Sequence, residues 1–303
     1  MSNSIQVTFW GVRGSYPSPG TRTARTGGNT PCVQVRAGKH LIILDAGTGV
    51  IGLGNSLVNQ FQVDKKPINA TILFTHTHHD HTQGFPFFAP TYLPVTTLYI
   101  FGPRTLEEDL HGVLARAMLP PVFPITLEQL PCVRIVRNLS EGELIVLNSD
   151  HTEPRVLAGQ RDGLPHSVDT VHIQAHRSYA HPQGVYVYRI EHNGQAIVYA
   201  TDTEGYVNGD QRLIRFVRGA TLLIHDAQYT EAEYASPTTA KQGWGHSTWQ
   251  MAVNVAQSAG VKQLVLFHHD PDHSDEMLEQ VEREAQAVFP GARLAREGLT
   301  IEL

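Results

Sequence analysis

The run Thr75-His76-Thr77-His78-His79-Asp80-His81 follows directly on the apolar stretch Ala70 to Phe74. A buried strand that ends in four imidazoles and a carboxylate needs a fold that gathers ligand-type groups at a strand end. In extended backbone, residues two apart point the same way. His76 and His78 can therefore grip one ion together. The chain then turns, so Asp80 and His81 can face a second ion, and His79 is expected to point away. A mixed histidine and carboxylate set suits Zn²⁺, Mn²⁺ or Fe. The rival reading, a polar surface loop with accidental histidines, does not explain why ligand-type residues begin where the strand stops.

This run cannot complete two coordination shells, so further ligands must come from other strand ends. His181 follows a strand-like stretch and precedes Pro182-Gln183-Gly184. Asp202 follows Ile197-Val198-Tyr199-Ala200, and His268 follows Val265-Leu266-Phe267. A carboxylate such as Asp202 can bridge two ions, one per oxygen. His176 competes with His181, and His269 with His268.

The rest of the chain reads as layers. Ile5 to Trp10, Cys32 to Arg36 and Leu41 to Leu44 are strand-like, and the last two are joined by a turn at Gly38. A helix is expected near Val50 to Asn59, and Leu106 to Met118 has helical spacing. Val185 to Ile190 and Ala196 to Tyr199 flank Asn193-Gly194, a hairpin signal. Thr221 to Ile224 and Leu264 to Phe267 are strands. Ser247 to Ala259 reads as a helix, with Ser247 or Thr248 as N-cap and Gly260 just past its end. Ser274 to Val288 is an amphipathic helix with Met277, Leu278, Val281, Ala285 and Val288 on one face. Strands early and late, with helices between, predict an α/β sandwich with mixed sheets. No boundary divides the chain, so residues 1–303 are expected to form one domain, with a polar loop or insertion near 148–170 as a candidate cover for the site.

Composition narrows the function. The net charge of −6 and the absence of any Lys/Arg run longer than Lys65-Lys66 weigh against a polynucleotide partner. No stretch is apolar enough to span a bilayer. No basic region leads into an apolar core at the start, so no secretory leader and a cytoplasmic location are expected. Cys32 and Cys132 sit in apolar strand-like stretches and are expected to be buried, inert thiols in a reducing compartment.

The series His76-x-His78-x-Asp80-His81, His181, Asp202 and His268 resembles the ligand series of the metallo-β-lactamase superfamily across nearly the whole chain. The resemblance implies a four-layer αββα sandwich with two mixed sheets. It implies one divalent ion on His76, His78 and His181, a second on Asp80, His81 and His268, and Asp202 between them. It favours zinc, with manganese or iron as alternatives. His181 is preferred over His176 because the third motif of this family often reads His-Pro-x-Gly, and His268 over His269 because it follows its strand directly. A homodimer is a further expectation from the family.

Gly243-Trp244-Gly245-His246-Ser247-Thr248, ahead of a helix, is similar to the phosphodiesterase branch of that superfamily, which includes ribonuclease Z and the phosphoribosyl cyclic phosphodiesterases. The similarity implies that His246 protonates the leaving oxygen, that Asp226 orients it, and that Asp80 belongs to the catalytic set. The chemistry is coherent on its own terms: an alkoxide leaving group benefits from a proton donor near neutral pH, and paired metals activate the attacking water as hydroxide. His246 as an ordinary helix N-terminal residue is the plainer alternative. Arg13 or Asn29, in glycine-containing runs also similar to this branch, would touch substrate or brace the site, with a purely structural loop as the equal alternative, and Asp45 would hydrogen-bond around the ligand histidines.

The expected activity is hydrolysis of a small phosphodiester, such as a cyclic nucleotide. A lactonase, thioesterase or glyoxalase-type hydrolase is the first competitor and tRNA 3′ processing the second. Against the second stands the lack of a Gly/Pro-rich basic arm. Di-iron redox chemistry uses a similar cage, and a non-enzymatic binding protein ranks last.

Overall fold

In the computed structural model, which describes residues 4–105, 107–148, 153–158, 170–206 and 209–303, the strand β1 (Ile5–Gly11) is patterned as its sequence is. Ile5, Val7 and Phe9 are fully buried, while Gln6, Thr8 and Trp10 are half-buried. It pairs antiparallel with β2 (Cys32–Ala37), which turns into β3 (His40–Leu44). Beyond β3 the sheet grows in parallel through β4 (Ile68–Leu73), β5 (Thr96–Pro103) and β6 (Val133–Leu139).

The second sheet begins antiparallel with β7 (Leu144–Leu147), β8 (Arg155–Leu157), β9 (Val171–Ser178), β10 (Val185–His192) and β11 (Gln195–Ala200). It continues in parallel through β12 (Leu222–Asp226), β13 (Gln263–Phe267) and β14 (Ala292–Leu294). The final strand, β15 (Thr300–Glu302), returns to the first sheet beside β1. Asn193 and Gly194 both have positive φ, as the two-residue hairpin between β10 and β11 requires.

The apolar residues sort into three layers of contact. Phe9, Val33, Ile42, Tyr188, Ile224 and Phe267 fill the space between the sheets. Helices α1 (Gly49–Asp64) and α3 (Leu110–Ala117) cover the outer face of the first sheet through Leu53, Leu57, Leu110 and Leu114. The one-turn α2 (His79–Thr82) lies between them in the chain. On the second sheet, α4 (Gln211–Val217), α6 (Trp249–Ala259) and α7 (Asp275–Val288) bury Leu213, Val253 and Leu278. A short α5 (Glu231–Tyr234) precedes α6. The result is an αββα sandwich of two mixed sheets, as the sequence predicts. Each fully buried Leu, Ile or Phe contributes about 1.5–3 kcal/mol to holding the layers together.

Several boundaries differ from the sequence reading. Helix α1 runs to Asp64 and stops where Lys65 adopts a left-handed conformation. Of the two N-cap candidates for α6 Thr248 takes the role, accepting from Met251 N, and Gly260 ends the helix at φ 66°, as the sequence reading has it. Val288 is 54% exposed, because the buried stripe of α7 ends at Ala285 before the helix does. Leu106 lies outside the described residues, as does most of 148–170; within that segment Arg155–Leu157 form the edge strand β8. Cys32 and Cys132 are free and buried. Among the described residues no helix is long and apolar enough to cross a membrane.

Candidate metal centre

Parallel strands place their carboxyl ends on one edge of each sheet, and the candidate residues lie there. Asp45 follows β3, His76 lies three residues beyond β4, and Asp202 two beyond β11. Asp226 is the last residue of β12, and His268 follows β13. Asp45, Asp202 and His268 have φ of 58°, 53° and 61°. A left-handed backbone costs a non-glycine residue roughly 1–2 kcal/mol, and three such residues meeting at one spot mark a place where geometry outranks stability.

The side chains converge in overlapping sets, two of which share no residue. His76, His78 and His181 form one, with His181 Nε2 2.9 Å from His78 Nδ1. Asp80, His81 and His268 form the other: Asp80 Oδ2 lies 3.4 Å from His81 Nε2 and 3.3 Å from His268 Nε2. Asp202 stands between them. Its Oδ1 is 3.3 Å from both His81 Nε2 and His268 Nε2, while its Oδ2 is 3.6 Å from His76 Nε2 and 3.8 Å from His181 Nε2. Ligands at about 2.0–2.1 Å from a tetrahedral zinc lie about 3.3 Å from one another. The donor set therefore has the spacing of a metal cage.

The opposite nitrogens explain which atoms are free to bind. His81 Nδ1 donates to Asp45 Oδ2 at 2.9 Å, and His181 Nδ1 to the Gly245 carbonyl at 3.1 Å. His268 Nδ1 lies 2.9 Å from Gln228 Oε1. Thr75 Oγ1 donates to Asp45, so it accepts from His76 Nδ1 at 3.0 Å. Each of these four rings is thus turned with Nε2 toward the cluster, as metal-ligating histidines are. His76 Nε2 and His81 Nε2 are buried with no hydrogen-bond partner among the described residues. A buried polar atom without a partner is costly, and a divalent ion would satisfy both.

Electrostatics point the same way. Burial pushes His76 well below the usual histidine range and His181 down to about 4, which leaves both neutral, the ligating form. Burial works against ionisation of Asp80 and Asp202, yet the surrounding histidines hold both carboxyls well below the usual range. Burial likewise opposes a charged His81, but Asp202, Asp80 and Asp45 outweigh it and raise its pKa well above the ordinary value. A nest of buried carboxylates that draws a proton onto an imidazole is one that a cation would occupy more favourably.

Beside both groups stands His246, whose ring lies 5.0 Å from those of His181 and His268. Its Nδ1 donates to Asp226 Oδ2 at 2.7 Å. Burial disfavours its charged form, but Asp226 prevails and pushes its pKa up to about 9. Asp226 also accepts from the backbone of Asp202, Gln228 and Ser247, so the pair is locked into the framework.

Of the rivals, His176 faces Glu141 on the second sheet, and His269 Nε2 donates to the Ala295 carbonyl; neither joins the cluster. His79 is exposed. Arg13 is fully buried and donates to the carbonyls of Gly27, Asp270 and His273, so it braces loops. Asn29 likewise binds Glu297. The same loop reaches the site through backbone: Ser15 N donates to Asp80 Oδ2 at 2.7 Å. A Cβ on Gly14 would sit 2.4 Å from His268 Cε1. Gly14→Ala is therefore expected to push His268 aside and cut bound metal by about one ion per chain, measurable by plasma mass spectrometry.

Sequence reasoning did not single out Thr75, Tyr199, Gln228 or Glu204. Tyr199 donates to Asp45 Oδ2 at 3.0 Å. Glu204 accepts from Gly243 N and Gly245 N, fixing the loop before His246. No spacing betrays Tyr199, Gln228 or Glu204, because their partners are distant in the chain, and Thr75 owes its place to Asp45, thirty residues earlier.

Comparison with known proteins agrees with this architecture. The model for the "Beta-lactamase superfamily domain" matches residues 40–269, more than half of the chain. Ribonuclease Z of Synechococcus sp. (strain WH7803) is 28% identical over 341 residues, covering 99% of this chain and 96% of that protein. The metallo-beta-lactamase fold protein YhfI from Bacillus subtilis superposes with a TM-score of 0.64 at 20% identity, over 100% of both chains. A diphosphatase from the PhnP family gives 0.62 at 16% identity, over 99% of this chain and 98% of that one. With its sheets, its matched span and its converging strand ends, the chain belongs to the beta-lactamase superfamily, as a metal-dependent hydrolase of the metallo-β-lactamase fold.

Proposed function

We propose that this single-domain chain is a dinuclear phosphodiesterase acting on a small nucleotide or another small phosphodiester. His76, His78 and His181 would hold one divalent ion, Asp80, His81 and His268 the second, and Asp202 both. Zinc suits this nitrogen and oxygen set, with manganese or iron as alternatives. When bound, the ions supply Lewis acidity toward the phosphoryl oxygen and lower the pKa of water. The observation that carries the reading is the His246–Asp226 pair at the edge of both groups.

Its chemistry follows from its tautomer. Asp226 holds Nδ1–H, so the proton on Nε2 is the one available to a departing alkoxide. Asp226 then stabilises the cationic form beforehand and fixes the neutral ring afterwards. A thioester hydrolase would gain little from this pair, because a thiolate leaves without a proton.

Protein quantified for metal should carry two ions per chain and cleave bis(p-nitrophenyl) phosphate; a two-ion protein inactive on every phosphodiester but active on a lactone or thioester would reverse the reading. His181→Ala is expected to lower metal content toward one ion, and His176→Ala to leave two.

A second reading has its own support. Relatives spanning nearly the whole chain are named ribonuclease Z, which weighs against the expectation, drawn from charge, of a partner other than nucleic acid. Set against it are the −6 charge and the absence of a basic run. Binding of precursor tRNA at low salt, where counterion release favours it most, separates the two.

A further inference from the structure

A cavity of about 430 Å³ opens beside the metal centre and shares His181 with it. That volume falls within the roughly 300–1,000 Å³ usual for small-molecule sites. Residues 179–184, Glu204, Tyr206 and Gly243 line it. Tyr179 and Tyr206 are 69% and 52% exposed, so both rings are open to a ligand at this surface.

The lining says what chemistry fits. No lysine or arginine is among the described lining residues, so a second phosphate is not provided for. The one acid, Glu204, is occupied: its Oε1 accepts from Tyr234 OH and Gly243 N, and its Oε2 from Gly245 N. What remains are two tyrosine rings, the amide of Gln183, Pro182, small residues and His181, which the pocket shares with the cluster. Flat, uncharged groups with polar edges suit such a surface, and aromatic side chains beside bound phosphate groups serve elsewhere as platforms on which bases stack. Tyr179 is propped for that task. The Arg177 guanidinium lies 5.4 Å from its ring centroid and donates to the Gln183 carbonyl.

We infer that this cavity is a nucleobase subsite, in which Tyr179 and Tyr206 stack the base of a nucleotide whose phosphate lies at the metal centre. The inference rests on the phosphodiesterase reading for the phosphate and adds that the substrate carries a base. Gln183 supplies an amide of the kind that pairs with a base edge.

The test is calorimetric binding to the metal-loaded protein, comparing adenosine 5′-monophosphate with ribose 5-phosphate. The base should tighten binding at least tenfold. Tyr179→Ala and Tyr206→Ala should each weaken the adenosine ligand several-fold, and the double variant should bring it to the level of ribose 5-phosphate. Ribose 5-phosphate should bind all variants equally, which also reports that they are folded, and Tyr→Trp at either position should retain the preference. Equal affinity for the two ligands, or an adenosine affinity that survives the double substitution, overturns the subsite. Hydrolysis of bis(p-nitrophenyl) phosphate by the unsubstituted protein is scored separately. Silence there, with the adenosine preference intact, supports the subsite and overturns the phosphodiesterase reading. Hydrolysis without the preference overturns the subsite alone.

Discussion

His246→Ala is expected to lower kcat on an alkyl phosphodiester by about 10²–10⁴-fold without changing the metal content. The reason is positional. His246 Nδ1 is committed to Asp226, and His246 is in neither of the two sets proposed to hold the ions, although it lies with Asp202, Asp226 and His268 in a further set of close ligand-type atoms. Removing it should cost the proton and leave the cage. The effect should depend on the leaving group. An alkoxide needs the proton, whereas p-nitrophenolate departs readily as the anion, so the same substitution should slow bis(p-nitrophenyl) phosphate much less. Paired kinetics on the two substrates, with metal quantified on the same protein, check this. Loss of metal, or an equal loss of rate on both substrates, would remove His246 from the role of proton donor. Asp226→Asn should reproduce part of the defect, since an amide orients the ring but stabilises its cation poorly.

Asp45→Ala should do the reverse, harming the cage and the fold together. Asp45 is fully buried. It accepts from Thr75 N, Thr75 Oγ1, His81 Nδ1 and Tyr199 OH, tying the ends of β3, β4 and β11 into one unit. Its removal leaves those donors buried without an acceptor. Breaking a buried charged pair in this way costs about 3–5 kcal/mol, seen as a lower midpoint in chemical denaturation. Metal affinity should fall about 10–100-fold, as is usual when the partner orienting a ligand histidine is lost, measurable by competition with a chelator. Tyr199→Phe removes only one of these contacts and should cost about 1 kcal/mol. An Asp45→Ala protein with unchanged metal affinity would mean that backbone geometry alone aims His81.

Much of the centre is legible in the sequence because its chemistry is local or follows strand ends. His76 to His81 announce themselves by following a buried strand. Asp202, Asp226 and His268 are found by the same rule, applied to apolar runs that stop at a ligand-type residue. The caps of α6 are readable to within one residue, Ser247 or Thr248 at its start and Gly260 past its end, because capping is a property of a few adjacent residues. Boundaries slipped where tertiary packing extended an element, as at the C-terminal turns of α1, or where a helix outran the sheet beneath it, as at Val288.

The sequence by itself determined the inventory of candidate ligands and the layered class of fold, since both depend on residue type and on short-range periodicity. Only the tertiary structure decided between equals. His181 and His176 lie five residues apart around one strand end, yet only the first faces the other sheet's histidines. Arg13, a candidate to touch substrate, proved a buried brace. The four-way grip on Asp45 and the tyrosine-lined cavity beside His181 were likewise invisible in the chain. Each of these depends on where separate strands end relative to one another in space, and that is fixed by the packing of two sheets across a shared core, not by any stretch of neighbouring residues.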